Sequence, residues 1–440
     1  MKILFCVEFY YPSLGGAQEV VRQIAERLAS CGHSVSVATS RLASRRSNTH
    51  KGVHINEFEI SGNRVRGLQG DVEAYREFLK SGDFDVVLFY AAQQWTFDAA
   101  WPVMTSIPAR KVLVPCGYSG LFEPSYSEYF AALPAILRQM DALVYHAEDY
   151  RDMEFGRAAG IGHGVMIPNG ADIEEFSVPK KNDFRHELSI PESALLFLTV
   201  GTLTGVKGHL ELAQAFHSAD FGEREAVLIL NGNSPKFRNA MQQAFKLAKE
   251  RGWFCAAKHG VKALLAGLKR KIRKTSSVQD WVLRINHEKH SKKRALVIDL
   301  PRDQLVQAYL NADLFVFASN IEYSPLVLFE ACAAGLPFLT VPVGNSVEIV
   351  AWTGGGEICP AGKDGLGYTR VSPDDLARRM ETLVANKEKR SEMGRCGRLA
   401  VENRFNWNIL AQEYGALFTR LANKSVPAPG QGREAAASAI

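Results

Sequence analysis

The chain has 440 residues, long for a single hydrophobic core, so two domains are expected. Hydrophobic residues make up 46% and charged residues 22%, the balance of a folded globular protein, which excludes a fibrous or wholly disordered chain. No apolar run reaches the length of a membrane span, and seven cysteines scattered singly argue against a disulfide scaffold and a cysteine-rich zinc site.

The formal charge of +5 hides an asymmetry. Lys236 to Arg294 carry 17 Lys/Arg and 3 Asp/Glu, a net of +14, so the other residues sum to 5 − 14 = −9. A basic module is embedded in an otherwise acidic protein.

In chain order, "KILFCVEFYYP" is a short apolar run that reads as a buried strand rather than a secretory leader. With the unpaired cysteines it leads us to expect a cytoplasmic protein. After "SLGG", the residues Val20, Val21, Ile24, Ala25 and Leu28 recur at helical spacing, and Gly32 is a stop. "SVSVATS" follows as a strand. Strand, Gly-rich turn, helix and strand make a βαβ unit and imply a parallel sheet. "FDVVLFYAA", "RKVLVPCG", "DALVYHA" and "GVMIPNG" continue as short strands.

"IPNGADIEEF", residues 167–176, breaks this rhythm with Pro, Asn and Gly and marks a domain boundary. The pattern then restarts: "ALLFLTVGTLTGVKGHLELAQAF" is strand, Gly-rich loop and helix. "AVLILNGNSP" and "ALVIDLP" are strands, "RDQLVQAYLNA" a helix and "DLFVFAS" a strand. "SPLVLFEACAAG" is a helix whose first turn carries Ser324 or Pro325, and "LPFLTVPVG" is a strand. The expected fold class is α/β, two Rossmann-like doubly wound domains facing across a cleft, with ligands at the carboxyl ends of the strands. The expected domains are 1–175, joined by a C-terminal helix at about 405–422, and 176–404, which holds the basic insert at about 236–294. Residues 423–440 read as a disordered tail.

Three short stretches carry chemistry. Gly15 and Gly16, between a strand and a helix N-terminus, allow a ligand to approach the backbone; the alternative is a tight turn alone. In "VGTLTGVKGHLEL", Lys207 beside a helix N-terminus is a natural phosphate clamp, although no Walker loop is present and a solvated surface Lys is the alternative. In "EYSPLVLFE", Glu322 precedes a helix and Glu330 lies two turns into it. Free N–H groups at Leu326 and Val327 would hold a phosphate, and carboxylates would take hydroxyls of a sugar or ribose. The alternative there is one capping acid and one buried ion pair.

Taken together, these motifs resemble the retaining glycosyltransferases of the GT-B fold, family 4, within the glycosyl transferases group 1. The E-x7-E signature matches Glu322 and Glu330, inside "S-x-x-E-x-x-P-L-V-L-x-E-A-x-A-x-G-L-P" from Ser319 to Pro337. The resemblance extends to Gly15 and Gly16, to "IPNG" at Ile167 to Gly170 with Asp172, and to "VG-x-L-x-x-x-KG" at Val200 to Gly208. It also takes in a "G-x-x-P" turn from Gly232 to Pro235, Val343 and Gly344 with Glu348 to Val350, and "RFNW" at Arg404 to Trp407. It covers about residues 1–422.

The resemblance implies a nucleotide-diphosphate sugar held by the second domain. Glu330 would accept from ribose hydroxyls and Glu322 from the donor sugar. Ser324 and the Leu326 and Val327 amides would meet the diphosphate, with Thr202 on the neighbouring loop. Lys207 would neutralise the leaving group, and Gly15 and Gly16 would close over phosphates or acceptor. Glu322 and Lys207 are thus the expected catalytic pair. No metal or other cofactor is implied, and the sugar would pass to a lipid-linked, polysaccharide or glycan acceptor with retention, in cell-surface polysaccharide synthesis. Three positions depart from the family pattern: Thr202 for an Arg, Cys116 or Gly117 for a His, and Asn345 for a second Gly. Loss of one phosphate-clamping cation would lower the rate about 10²-fold.

Within the insert, Val261, Leu264, Leu265, Leu268 and Ile272 fall on one helical face flanked by Lys258, Lys262, Lys269, Arg270 and Arg273. A basic amphipathic helix over 253–274 is expected to meet an anionic membrane surface, with a solvated domain-capping helix as the alternative. No nucleic-acid module is recognisable. A catalytically weak homologue acting as a scaffold subunit is a rival reading favoured by Thr202 and Cys116, and a two-domain nucleotide-sugar epimerase is opposed by the E-x7-E pattern.

Overall fold

A computed structural model describes residues 1–181, 183–232, 277–288 and 291–423. They divide into two compact units, Met1–Pro168 with the segment from Trp407, and Asn169–Asn406. The expected basic helix over 253–274, the part of the "G-x-x-P" turn beyond Gly232, and the tail from 424 lie outside the described residues.

The first unit is built on β1 (Lys2–Cys6), β2 (Ser34–Ser40), β3 (Thr49–His50), β4 (Val53–Phe58), β5 (Ile60–Asn63), β6 (Gly67–Gly70), β7 (Val86–Tyr90), β8 (Arg110–Val114), β9 (Ala142–Tyr145) and β10 (Gly164–Met166). Eight of these strands form one sheet in the order β10-β9-β8-β7-β1-β2-β4-β3, parallel except where β3 runs antiparallel to β4. The central strands read as continuous apolar runs because both faces are covered, and all five residues of β7 are buried. Helix α1 (Gly16–Ser30) buries Val20, Val21, Ile24, Ala25 and Leu28, the stripe its spacing predicts. It stops at Gly32, whose φ of 85° suits a residue without Cβ.

The C-terminal helix Trp407–Ala422 completes this unit. Phe418 meets Phe5 edge-on at 6.2 Å, and Arg27 Nε donates to Asn408 Oδ1 at 2.7 Å. Burying a ring such as Phe418 contributes about 2–3 kcal/mol, enough to hold a terminal helix on its sheet. The two-stranded hairpin β5–β6 and the strands β3 and β4 were not expected. β3, β5 and β6 are short and mostly polar and carry little periodic apolar signal, whereas β4 alternates buried Val53 and Ile55 with His54 and Asn56, a period-two signal that was not read.

The second unit carries β11 (Leu195–Val200), β12 (Ala226–Asn231), β13 (Lys293–Ile298), β14 (Leu314–Phe317), β15 (Phe338–Thr340) and β16 (Gly356–Ile358). They form one sheet in the order β13-β12-β11-β14-β15-β16, with every pair parallel. The helices used below are α2 (His209–Ser218), α3 (Val278–His287), α4 (Arg302–Asn311) and α5 (Leu326–Ala333). α3 opens on a capping box between Ser277 and Asp280 and leads into β13. In α5 the structure corrects one expectation: Pro325, at φ −72° and ψ 112°, stays extended at the N-cap position outside the helix and gives it no side-chain cap. Both units bear out the α/β class with parallel sheets. No helix of the described residues is long and apolar enough to cross a membrane.

The order of the second sheet decides where its loops meet. β11, β14 and β15 are neighbours, so the segments 201–208, 318–325 and 341–345 leave side by side at the carboxyl edge, where parallel sheets hold ligands.

Candidate functional site

The first two of these loops are pinned together. Gly208 has φ 68°, and a Cβ there would lie 1.7 Å from the Ala318 carbonyl oxygen, so only glycine lets the loop pass this close to β14. The Asn320 N–H donates to Val206 O at 3.0 Å. These contacts set Lys207 Nζ 2.6 Å from Glu322 Oε1, and Ser319 Oγ donates to the same oxygen at 2.8 Å. The Lys207 and Glu322 side chains keep 25% and 14% of their surface, so the pair is less screened than one on open surface and still reachable by a ligand. The third loop grips from the other side. The Asn345 N–H donates to Tyr323 O at 2.8 Å, and a Cβ on Gly344 would lie 2.2 Å from that oxygen.

Next along the chain, the Ser324 carbonyl accepts from Asn169 Nδ2 at 3.1 Å. Ser324 Oγ and Asn169 Oδ1 are buried without a protein partner. Leu326 and Val327 open α5, where backbone N–H groups have no partner within the helix, and no acid occupies that first turn. The Ser324 hydroxyl and the N–H groups at the positive end of the helix are donors of the kind an anion takes, whereas the unpartnered Asn169 Oδ1 is an acceptor.

Glu330 is buried beneath this site. Its Oε1 lies 2.7 Å from Arg302 Nη2, and its Oε2 accepts from Tyr309 Oη at 3.0 Å. Arg302 also donates to both oxygens of Glu175, through Nε at 2.8 Å and Nη2 at 2.7 Å. Two carboxylates therefore share one guanidinium. Burial pushes the Glu330 carboxyl above its ordinary range, opposed by the Arg302 cation. Burial works against Arg302 too, yet Glu330 and Glu175 together hold it above the usual arginine range.

Thr202 is exposed on the same loop as Lys207. Gly15 and Gly16 belong to the first unit, at the start of α1. A Cβ on Gly15 would meet only the flexible end of Gln18, and one on Gly16 would meet nothing within 4 Å. The first unit's own packing therefore leaves open space at this helix N-terminus. Cys116 and Gly117 form a turn after β8 with φ 61° and 80°, and burial pushes the Cys116 thiol up to about 12. A thiol so raised is no nucleophile at neutral pH. Among the described residues no group of three or more His, Cys, Asp or Glu side chains is arranged to hold a metal ion.

Lys207, Glu322, Ser324, Leu326, Val327 and Glu330, the residues the sequence singled out, all lie in the second unit. Their contacts with Ser319, Asn169, Arg302 and Tyr309, and through Arg302 with Glu175, were not read from the sequence. The signal for Asn169 was present in "IPNG", read only as a linker.

Against known proteins, the architecture matches solved structures over nearly its full length. Sucrose-phosphate synthase from Thermosynechococcus elongatus superposes with a TM-score of 0.69, at 17% identity over 96% of this chain and 98% of that one. The Anabaena HepE protein in complex with UDP and glucose superposes at 0.64, with 14% identity over 96% and 100%. The chain has the GT-B glycosyltransferase fold. Residues 241–400 match the family model described as glycosyl transferases group 1. Spore coat protein SA of Bacillus subtilis is 30% identical over 125 residues, which span 28% of this chain and 29% of that relative.

Proposed function

We propose that the protein is a retaining glycosyltransferase that moves a sugar from a nucleotide-diphosphate sugar to a lipid-linked or glycan acceptor. The observation that carries this reading is the Lys207–Glu322 contact of 2.6 Å beside the uncapped start of α5. A carboxylate that accepts sugar hydroxyls and a cation that compensates phosphate sit side by side there, and the helix N–H groups add to the cation. The HepE protein, of the same fold, has been solved with UDP and glucose and with UDP-glucose, which supports a nucleotide-sugar donor.

In this reading the diphosphate meets Ser324 Oγ and the Leu326 and Val327 N–H groups. It draws Lys207 away from Glu322, which then accepts from donor-sugar hydroxyls. Negative charge develops on the diphosphate as the glycosidic bond breaks, and the same donors already point at it, so little reorganisation is needed. The sugar passes through an oxocarbenium-like state. Glu330 accepts from the ribose. Gly15 and Gly16 offer an open helix N-terminus to phosphate or acceptor, and no metal is required for charge neutralisation. A role in cell-surface polysaccharide synthesis, and membrane attachment through the basic stretch 253–274, belong to the same proposal. They rest on sequence alone.

Thr202 favours a second reading, a scaffold subunit with weak turnover, because an exposed threonine stands where the resembling family has a cation. A thermal-shift screen against UDP-, GDP- and ADP-sugars, followed by donor hydrolysis, separates the two, since ligand binding raises apparent stability. Stabilisation with turnover supports the transferase. Protein that neither binds nor hydrolyses any nucleotide sugar, yet assembles with a partner, supports the scaffold.

A further inference from the structure

We infer that Arg302 and Tyr309 are positioning residues: they lock the Glu330 carboxylate in one orientation and make the site select ribonucleoside over 2′-deoxyribonucleoside diphosphates. The inference rests on Glu330 being the acceptor for ribose hydroxyls.

A glutamate carboxylate ordinarily turns broadly about its last torsion. Here each oxygen is held by a different donor, Oε1 by Arg302 at 2.7 Å and Oε2 by Tyr309 at 3.0 Å. The holders are themselves held. Arg302 is chelated by Glu175, and its guanidinium lies 5.6 Å from the Phe176 ring centroid. Tyr309 is fully buried, stacks on Phe315 at 5.4 Å and meets Phe176 edge-on at 5.6 Å. Each carboxylate oxygen can accept more than one hydrogen bond, so each keeps acceptor capacity in a fixed plane. The side chain of Glu330 retains 11% of its surface, the part the clamp leaves open. A hydroxyl reaching that opening finds acceptors already aimed. A deoxyribose leaves the spare acceptor capacity of one oxygen unfilled in a desolvated site, and a locked carboxylate cannot turn away to recover it.

The test is isothermal titration of the full chain with UDP, GDP and ADP and with their 2′-deoxy counterparts, on the wild type, Tyr309→Phe and Arg302→Lys. The tightest ribonucleotide is expected to bind wild type about tenfold to a hundredfold better than its deoxy partner. In both variants that ratio is expected to approach unity. A purely structural role would weaken both nucleotides alike and leave the ratio unchanged. Should Arg302→Lys fail to fold, Tyr309→Phe, which removes a single oxygen, carries the test. A wild type that discriminates beside variants that discriminate equally overturns the inference alone. A wild type that does not discriminate overturns both it and the ribose reading of Glu330.

Discussion

Lys207 Nζ and Glu322 Oε1 lie 2.6 Å apart, although the residues are 115 positions apart in the chain. Each occupies a loop at the end of a neighbouring parallel strand, and glycine at 208 permits the approach. Removing the cation should therefore cost chemistry more than stability. Lys207→Ala is expected to lower kcat by about 10²–10³. Because the pair is only partly buried, unfolding free energy should fall by on the order of 1 kcal/mol. Lys207→Arg should restore part of the rate. Steady-state kinetics and urea titration check both, and a kcat unchanged by Lys207→Ala would remove Lys207 from the mechanism.

Glu330 requires a different expectation. From sequence alone, Glu330→Ala should abolish donor binding with the fold intact. The structure corrects the second half, because the truncation leaves Arg302 with Glu175 alone and strands the buried Tyr309 hydroxyl. A loss of about 3 kcal/mol or more is expected. Glu330→Gln keeps the shape and should be the milder variant in urea unfolding, while both lose nucleotide affinity in titration.

The glycines divide into two kinds. Gly208→Ala drives a Cβ into the Ala318 carbonyl at positive φ. It should destabilise by about 2 kcal/mol or more and displace Lys207. Gly16→Ala enters open space at the first position of α1, and should leave stability within about 0.5 kcal/mol. If that space admits a ligand, Gly16→Ala still lowers activity. Melting temperature and rate measured on the same two variants separate fold from function.

His146 predicts an acid response in the first unit. Its Nδ1 lies 2.7 Å from Ile167 O. A carbonyl only accepts, so Nδ1 carries the hydrogen, and Nε2 accepts from Tyr90 Oη at 3.1 Å. Burial lowers the imidazole from 6.5 to about 4. Between those values the unfolded chain binds the proton and the folded one does not, so stability falls as pH drops through this window. His209, lowered to about 4 by burial and by Lys207, acts in the same sense. His146→Gln removes its own share only. The gap between variant and wild type should narrow by on the order of 2 kcal/mol from pH 7 to pH 4, as read by urea unfolding.

The fold was legible where apolar runs alternate with amphipathic helices. β7 is an unbroken buried run and β11 is apolar except at Thr199, and α1 carries its stripe at Val20, Val21, Ile24 and Leu28. Such patterns depend only on which faces are covered. The hairpin β5–β6 was not legible, since Ile60 to Gly70 is polar and glycine-rich and its pairing is set by tertiary contacts. The two acids of "EYSPLVLFE" were legible as a spaced pair. Lys207 was read as the companion of Glu322, but the partners of Glu330 were not legible, because Arg302 and Tyr309 come from α4 and meet Glu330 only once that helix has packed. Glu330 thus has the buried ion pair that was weighed as the alternative for this stretch. The ion pair and a ribose contact use different acceptor capacity of one carboxylate, so the first does not displace the second.

The most direct test of a donor site in the second unit is calorimetric titration with UDP-, GDP- and ADP-sugars on wild type, Lys207→Ala and Glu330→Gln. One nucleotide sugar is expected to bind wild type, Lys207→Ala to weaken it mainly through the diphosphate, and Glu330→Gln to weaken nucleotide and nucleotide sugar alike. Binding to wild type that neither substitution weakens would contradict this expectation.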